Sequence, residues 1–208
     1  MPRFDSNPHI RVGGFAPVSF TDRPDQIVAT VFCQGCPWDC GYCHNPDLIP
    51  RDGGIAYDWQ AILRFLETRR GLLDGVVFSG GEPLLQRGLP CAMREVRALG
   101  YHVGLHTGGA YPARMAEVLP LLDWVGFDIK AGAQDYARVT GVPGSAIRAH
   151  ESLRLLRESG VAFETRTTLD PQVFDDAAMT RLRADLTRLG LDGHRLQAYR
   201  NIGIRPTG

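Results

Sequence analysis

Along this chain, short unbroken apolar runs alternate with stretches in which apolar residues recur at helical spacing. Two β-rich pieces, residues 15–20 and 26–32, open it, separated by the turn-forming cluster Thr21-Asp22-Arg23-Pro24-Asp25. Across 58–70, Trp59, Ile62, Leu63 and Leu66 fall on one helical face. Gly75-Val76-Val77-Phe78-Ser79 is an apolar strand halted by Gly80-Gly81. Residues 89–99 predict a helix ending at Gly100, followed by a strand over 101–107, a helix over 112–122 and a strand over 124–129. A helix over 145–159 stops at Gly160, and a strand at 161–168, a helix at 175–189 and a strand at 195–199 complete the pattern.

Strands separated by helices of about 10–15 residues predict parallel βαβ units. Six such strands with five connections predict an α/β partial (β/α)6 barrel with a parallel sheet, preceded by a short N-terminal β extension. A complete eight-unit barrel takes about 250 residues, and this chain has 208. A doubly wound open sheet is the alternative. No linker, low-complexity segment or repeat divides the sequence, so one domain over 1–208 is expected.

Charge changes this picture little. The 23 basic and 23 acidic side chains balance, and no basic stripe or polybasic run suggests nucleic acid or a membrane surface as partner. No run approaches the roughly 18 apolar residues of a membrane span. Residues 1–6 lack the apolar core of a signal peptide. A cytoplasmic protein is the expectation.

Cysteine placement changes it greatly. Cys33, Cys36, Cys40 and Cys43 stand within one short loop, the last three spaced C-x3-C-x2-C. Three thiolates on one loop can hold three irons of a [4Fe–4S] cluster and leave the fourth open to a small molecule. Zinc takes four ligands, more often from two separated C-x2-C pairs, and disulfide frameworks suit small secreted domains. Cys33 ends an apolar run and is expected to be buried beside the cluster, whereas Cys91, alone in the helix at 89–99, is expected in the core. One thiolate-rich loop leaves no means of building a second cysteine-ligated cluster.

In parallel α/β folds, ligands gather at the carboxyl ends of strands. The cysteine loop, Ser79-Gly80-Gly81-Glu82-Pro83, His106-Thr107-Gly108-Gly109, Asp128-Ile129-Lys130, Arg166-Thr167-Thr168 and Tyr199-Arg200-Asn201 all fall at such ends. Six strand tips are expected to converge on one rim.

The C-x3-C-x2-C spacing with Tyr42 before its last cysteine resembles the signature of the radical S-adenosylmethionine (SAM) enzymes. The longer run Gln-Gly-Cys-Pro-Trp-Asp-Cys-Gly-Tyr-Cys-His-Asn-Pro is similar to the cluster loop of glycyl-radical activating enzymes, particularly the activating proteins of anaerobic ribonucleotide reductase. The resemblance implies a radical SAM domain with its cluster loop at 33–46, one [4Fe–4S] cluster on Cys36, Cys40 and Cys43, and SAM on the open iron. It implies that Gly80, Gly81 and Glu82 approach the SAM amino group, the glycines because a Cβ would hold the ligand away. Glu82 would anchor its loop or favour the ammonium.

By the same resemblance, Thr107, Asp128, Ile129 and Lys130 lie at the methionine end of SAM, where a relative also places a monovalent cation. His106 stands where that relative has aspartate, which makes it a poorer cation ligand and a candidate to neutralise the SAM carboxylate. Arg166 needs a partner, with Glu82 or the SAM carboxylate proposed; Arg200 falls near adenosine; Tyr42 and His44 flank adenine.

The implied reaction begins with one electron from flavodoxin or ferredoxin. SAM then splits to methionine and a 5′-deoxyadenosyl radical, which removes a glycine Cα hydrogen from a partner glycyl-radical enzyme, the class III ribonucleoside-triphosphate reductase foremost. No side-chain acid or base is assigned. A radical SAM enzyme acting on a small molecule, or a non-catalytic iron–sulfur or zinc scaffold, are the alternatives.

Overall fold

A computed structural model describes residues 10–52 and 57–199. Its strands are β1 (Val12–Ser19), β2 (Val28–Cys33), β3 (Gly75–Gly80), β4 (His102–Thr107), β5 (Trp124–Asp128), β6 (Ala162–Leu169) and β7 (Arg195–Ala198). They form one sheet in chain order. β1 runs antiparallel to β2, and β2 through β7 are parallel. No pairing joins β1 to β7 among the described residues, so the barrel is partial, as the strand count predicts.

Between the strands lie α1 (Trp59–Glu67), α2 (Leu89–Ala98), α3 (Pro112–Val118), α4 (Tyr136–Thr140), α5 (Ser145–Ser159) and α6 (Asp176–Arg188). The central strands are continuous apolar runs because both of their faces are covered: Val76, Val77 and Phe78 of β3 and Val125 and Phe127 of β5 are wholly buried. Asp58 caps α1 by accepting from the Gln60 and Ala61 N–H groups, and the helix buries Trp59, Ile62 and Leu66. The Trp59 indole N–H donates to Glu95 at 2.6 Å, tying α1 to α2.

Three expectations change. The helix expected over 112–122 ends at Val118 and gives way to a 3-10 turn, Leu119–Leu121, because Pro120 has no N–H to continue it. α4 is an additional helix. Cys91 is exposed rather than core, since α2 buries the face carrying Leu89, Ala92, Met93 and Val96 and residue 91 lies off it. No helix among the described residues is long and apolar enough to cross a membrane.

Candidate functional site

The cysteine loop leaves β2 and is clamped from several directions. The Gly35 N–H donates to Leu48 O at 2.8 Å, Cys36 N–H to Ile49 O at 3.1 Å, and Asp39 N–H to Thr140 O of α4 at 3.0 Å. The Gln34 amide donates to Asp47 O and Pro50 O. Below it, Gly81 N–H donates to Cys33 O and Glu82 N–H to Gly35 O, both at 2.9 Å. Gly80 has φ +104°, a conformation glycine adopts cheaply, and a Cβ there would sit 2.5 Å from Cys33 N. A Cβ on Gly81 would collide with the Gly35 carbonyl oxygen. These glycines therefore let the β3 tip lie against the cysteine loop, a role for Gly81 beyond the ligand approach expected from sequence.

Cys36, Cys40 and Cys43 border one cavity, and so do residues following each of the six parallel strands: Gly81 after β3, Gly108 after β4, Lys130 after β5, with Thr168 on β6 and Gln197 on β7. The first five expected tips converge; at the sixth, Gln197 lines the cavity, Tyr199 does not, and Arg200 and Asn201 lie outside the described residues. Cys33 is outside the cavity lining and fully buried in the core. Burial pushes the Cys36 thiol up to about 12 and raises Cys40 as well, so metal binding here must displace protons.

Glu82 is 2 % exposed. Its carboxylate accepts from the Thr107 hydroxyl at 2.7 Å, Gly108 N–H at 3.1 Å and Leu84 N–H at 3.1 Å. Of the two expected roles, this geometry performs the anchoring one. Burial raises its pKa, while the three donated hydrogen bonds oppose that rise.

A second network fills the cavity wall. The Arg166 Nε–H donates to Asp128 at 2.6 Å, and Lys130 Nζ donates to its other oxygen at 2.9 Å. Burial alone would raise the Asp128 pKa, but Lys130 and Arg166 hold it far below the usual carboxylate range. Arg166 also donates to His106 Nδ1 at 3.1 Å, leaving His106 Nε2–H to donate to Asp22 O at 2.7 Å. This fixes one neutral tautomer. Burial, then the Arg166 charge, lowers the His106 pKa to about 4.

His106 therefore brings no positive charge to a carboxylate, and the partner of Arg166 is Asp128 rather than Glu82. Asp128, with both oxygens bound to cationic side chains, is committed before any metal cation arrives.

Tyr42 and His44 both border the cavity. Lys130 Nζ lies 5.9 Å from the centre of the Tyr42 ring, within cation–π reach. Ile129 is not a lining residue: its side chain is buried in the core, its N–H donates to Arg166 O and its carbonyl accepts from Thr167. Arg200 lies outside the described residues.

Sequence reasoning missed Trp38, Asp22 and Gln197. Trp38 packs edge-on against Tyr136, with ring centres 6.1 Å apart, and lies over Gly108, where a Cβ would strike its ring. Its position inside the cysteine run was the available signal. Asp22 acts through a backbone carbonyl, which no residue type announces.

The site fits a thiolate-held cluster with an organic ligand. Three soft sulfur donors on one loop suit iron–sulfur chemistry. In the same wall the Trp38 indole N–H and the Tyr42 hydroxyl are buried without a partner among the described residues, as expected of groups that meet a ligand. Cys36, Cys40 and Cys43 would hold the cluster.

Fold and site together define an α/β iron–sulfur enzyme with a partial parallel barrel. The chain belongs to the radical SAM superfamily, whose family model matches residues 30–182, and its cofactors are one [4Fe–4S] cluster and SAM. It is 29% identical over 202 residues to the pyruvate formate-lyase-activating enzyme of Clostridium pasteurianum, covering 93% of this chain and 84% of that one. It is 36% identical over 186 residues to the isethionate sulfite-lyase activating enzyme of Nitratidesulfovibrio vulgaris, covering 83% of this chain and 58% of the relative. The crystal structure of Streptococcus suis SuiB bound to S-adenosylmethionine shares the fold, with TM-score 0.64 and 15% identity over 84% of this chain. This chain spans only 42% of the SuiB chain.

Proposed function

We propose that this protein is a radical SAM activating enzyme that installs a radical on a glycine of a partner glycyl-radical enzyme, the anaerobic ribonucleoside-triphosphate reductase. The observation that carries the activase reading is a cavity shared by three cluster thiols and six strand tips, in a chain 28% identical over 186 residues to a protein of Methanocaldococcus jannaschii named as a putative glycyl-radical enzyme activating enzyme. The choice of reductase rests on the run from Gln34 to Pro46, which resembles the loop of that enzyme's activating proteins.

Held by Cys36, Cys40 and Cys43, the cluster would supply the one-electron reduction that cleaves SAM, and SAM would supply the group that takes a glycine Cα hydrogen. The chain's residues provide placement and electrostatics. Lys130 and Arg166 outnumber the single Asp128 carboxylate between them, so this wall favours an anionic ligand group such as the SAM carboxylate. Glu82 holds the tips of β3 and β4 at fixed separation. Trp38 and Tyr42 each bring one unpartnered donor to the same wall. A flavodoxin or ferredoxin is the proposed electron source.

Anaerobic reconstitution with iron and sulfide, reduction with dithionite and addition of SAM tests the reading. The products expected are 5′-deoxyadenosine and, with the reductase of the same cell, a glycyl-radical doublet in electron paramagnetic resonance. SAM cleavage without a protein radical on that reductase or any other glycyl-radical enzyme of the cell would favour a small-molecule substrate.

A further inference from the structure

Among the described residues, the sheet ends beside the cavity in an open edge. β7 pairs with β6 through Arg166↔Arg195, Thr167↔Leu196, Thr168↔Gln197 and Leu169↔Ala198. Among the described residues no strand pairs with its other side, and all four of its residues are exposed. Side chains alternate between faces along a strand, and residues in register share a face. Gln197 therefore stands on the same face as Thr168, and both border the cavity. Neither side chain has a hydrogen-bond partner among the described residues.

The opposite edge of the sheet is built differently. β1 contains Pro17 and its pairing with β2 is interrupted by two register shifts, devices that discourage an added strand. Tyr57 also bridges Val12 there. β7 has no proline and pairs without a shift. Among the described residues, the edge without such devices is the one beside the cavity.

Glycine offers no side chain to grip. An enzyme that acts on a glycine Cα within a folded partner must position it through backbone groups, to within van der Waals reach of the radical carbon. A free strand edge supplies a row of backbone donors and acceptors, the means by which proteins bind extended segments by strand addition. A carboxamide such as Gln197 offers one more acceptor and two more donors.

We propose that the glycine-bearing segment of the partner docks as an added strand on the free edge of β7, with Gln197 and Thr168 hydrogen-bonding its backbone at the cavity mouth. This rests on the activase reading above.

Hydrogen exchange read by mass spectrometry tests it on the reconstituted, SAM-loaded protein, alone and with the intact reductase, in parallel with the radical assay. The outward-facing amides within residues 195–198, those not bonded to β6, should exchange readily in the free protein and slow by about tenfold or more in the complex. Gln197→Ala should weaken reductase affinity by about tenfold, the size of one hydrogen bond, with a smaller change in SAM affinity. Slow exchange of β7 already in the free protein would mean the chain itself covers the edge, and would overturn the proposal. So would radical formation on the reductase with β7 exchange unchanged. Absence of any radical on the reductase with the wild-type protein would instead remove the partner reading on which the proposal rests.

Discussion

The Glu82 carboxylate accepts the Thr107 hydroxyl at 2.7 Å and so locks the tip of β3 to the tip of β4 beneath the cysteine loop. Removing the carboxylate strands the Thr107 hydroxyl and the Gly108 and Leu84 N–H groups in a buried place. Each unmet group costs about 1–3 kcal/mol. With partial relaxation, Glu82→Ala should lose about 2–4 kcal/mol in urea unfolding, and Glu82→Gln, which keeps an acceptor oxygen, should lose less. Loss of under half a kcal/mol in both would show that the anchor is dispensable.

His106 makes stability fall on mild acidification. Its folded pKa is lowered to about 4 from 6.5. Between those values the unfolded chain binds a proton that the folded one refuses. Stability therefore declines as pH drops from 6.5 towards 4, at about 1.4 kcal/mol per unit and on the order of 3 kcal/mol in all. His150 and His194, also lowered by burial, act in the same direction. His106→Gln can still donate to Asp22 and accept from Arg166. Unfolding free energy measured from pH 7 to 4 should show a shallower slope in this variant, and an unchanged slope would assign the effect to other groups.

Gly81→Ala should impair iron uptake as well as SAM binding. Its Cβ would collide with the Gly35 carbonyl and push the β3 tip off the cysteine loop. Iron and sulfide counts after anaerobic reconstitution, followed by SAM titration, separate the two effects. Full iron content with weakened SAM binding would restore the simpler role of an open approach for the ligand.

Cys36→Ala, Cys40→Ala and Cys43→Ala should each abolish the SAM-binding cluster. Cys33→Ala should retain it while losing about 1 kcal/mol of stability through a small cavity in the core. Equal iron loss in all four variants would point to a four-cysteine site.

The elements were legible in the sequence because β2, β3 and β5 are largely apolar runs and most helices are long enough to show their period. α5, over Ser145–Ser159, coincides with its expected span. α4 escaped because its five residues span little more than one turn. The cluster cysteines announced themselves by spacing. Partnerships did not: Arg166 meets Asp128 across 38 positions of sequence, and an alternating strand shows that an arginine faces inward without showing what it meets. Nor can a sequence fix the protonation of His106, which follows from an arginine on one ring nitrogen and a carbonyl on the other.

The clamp on the cysteine loop has a consequence in time. The four loop thiols leave the ribosome before one of their anchors, the carbonyl of Thr140 that holds Asp39, which follows about a hundred residues later. At ordinary rates of synthesis that interval is roughly 5–20 s. During it Cys33, Cys36 and Cys40 lack the burial that later raises their pKa, and are correspondingly open to oxidation. Iron loading therefore belongs after Thr140 has been made, and the oxidant level of the cell during translation sets how many copies reach that point with their cysteines intact.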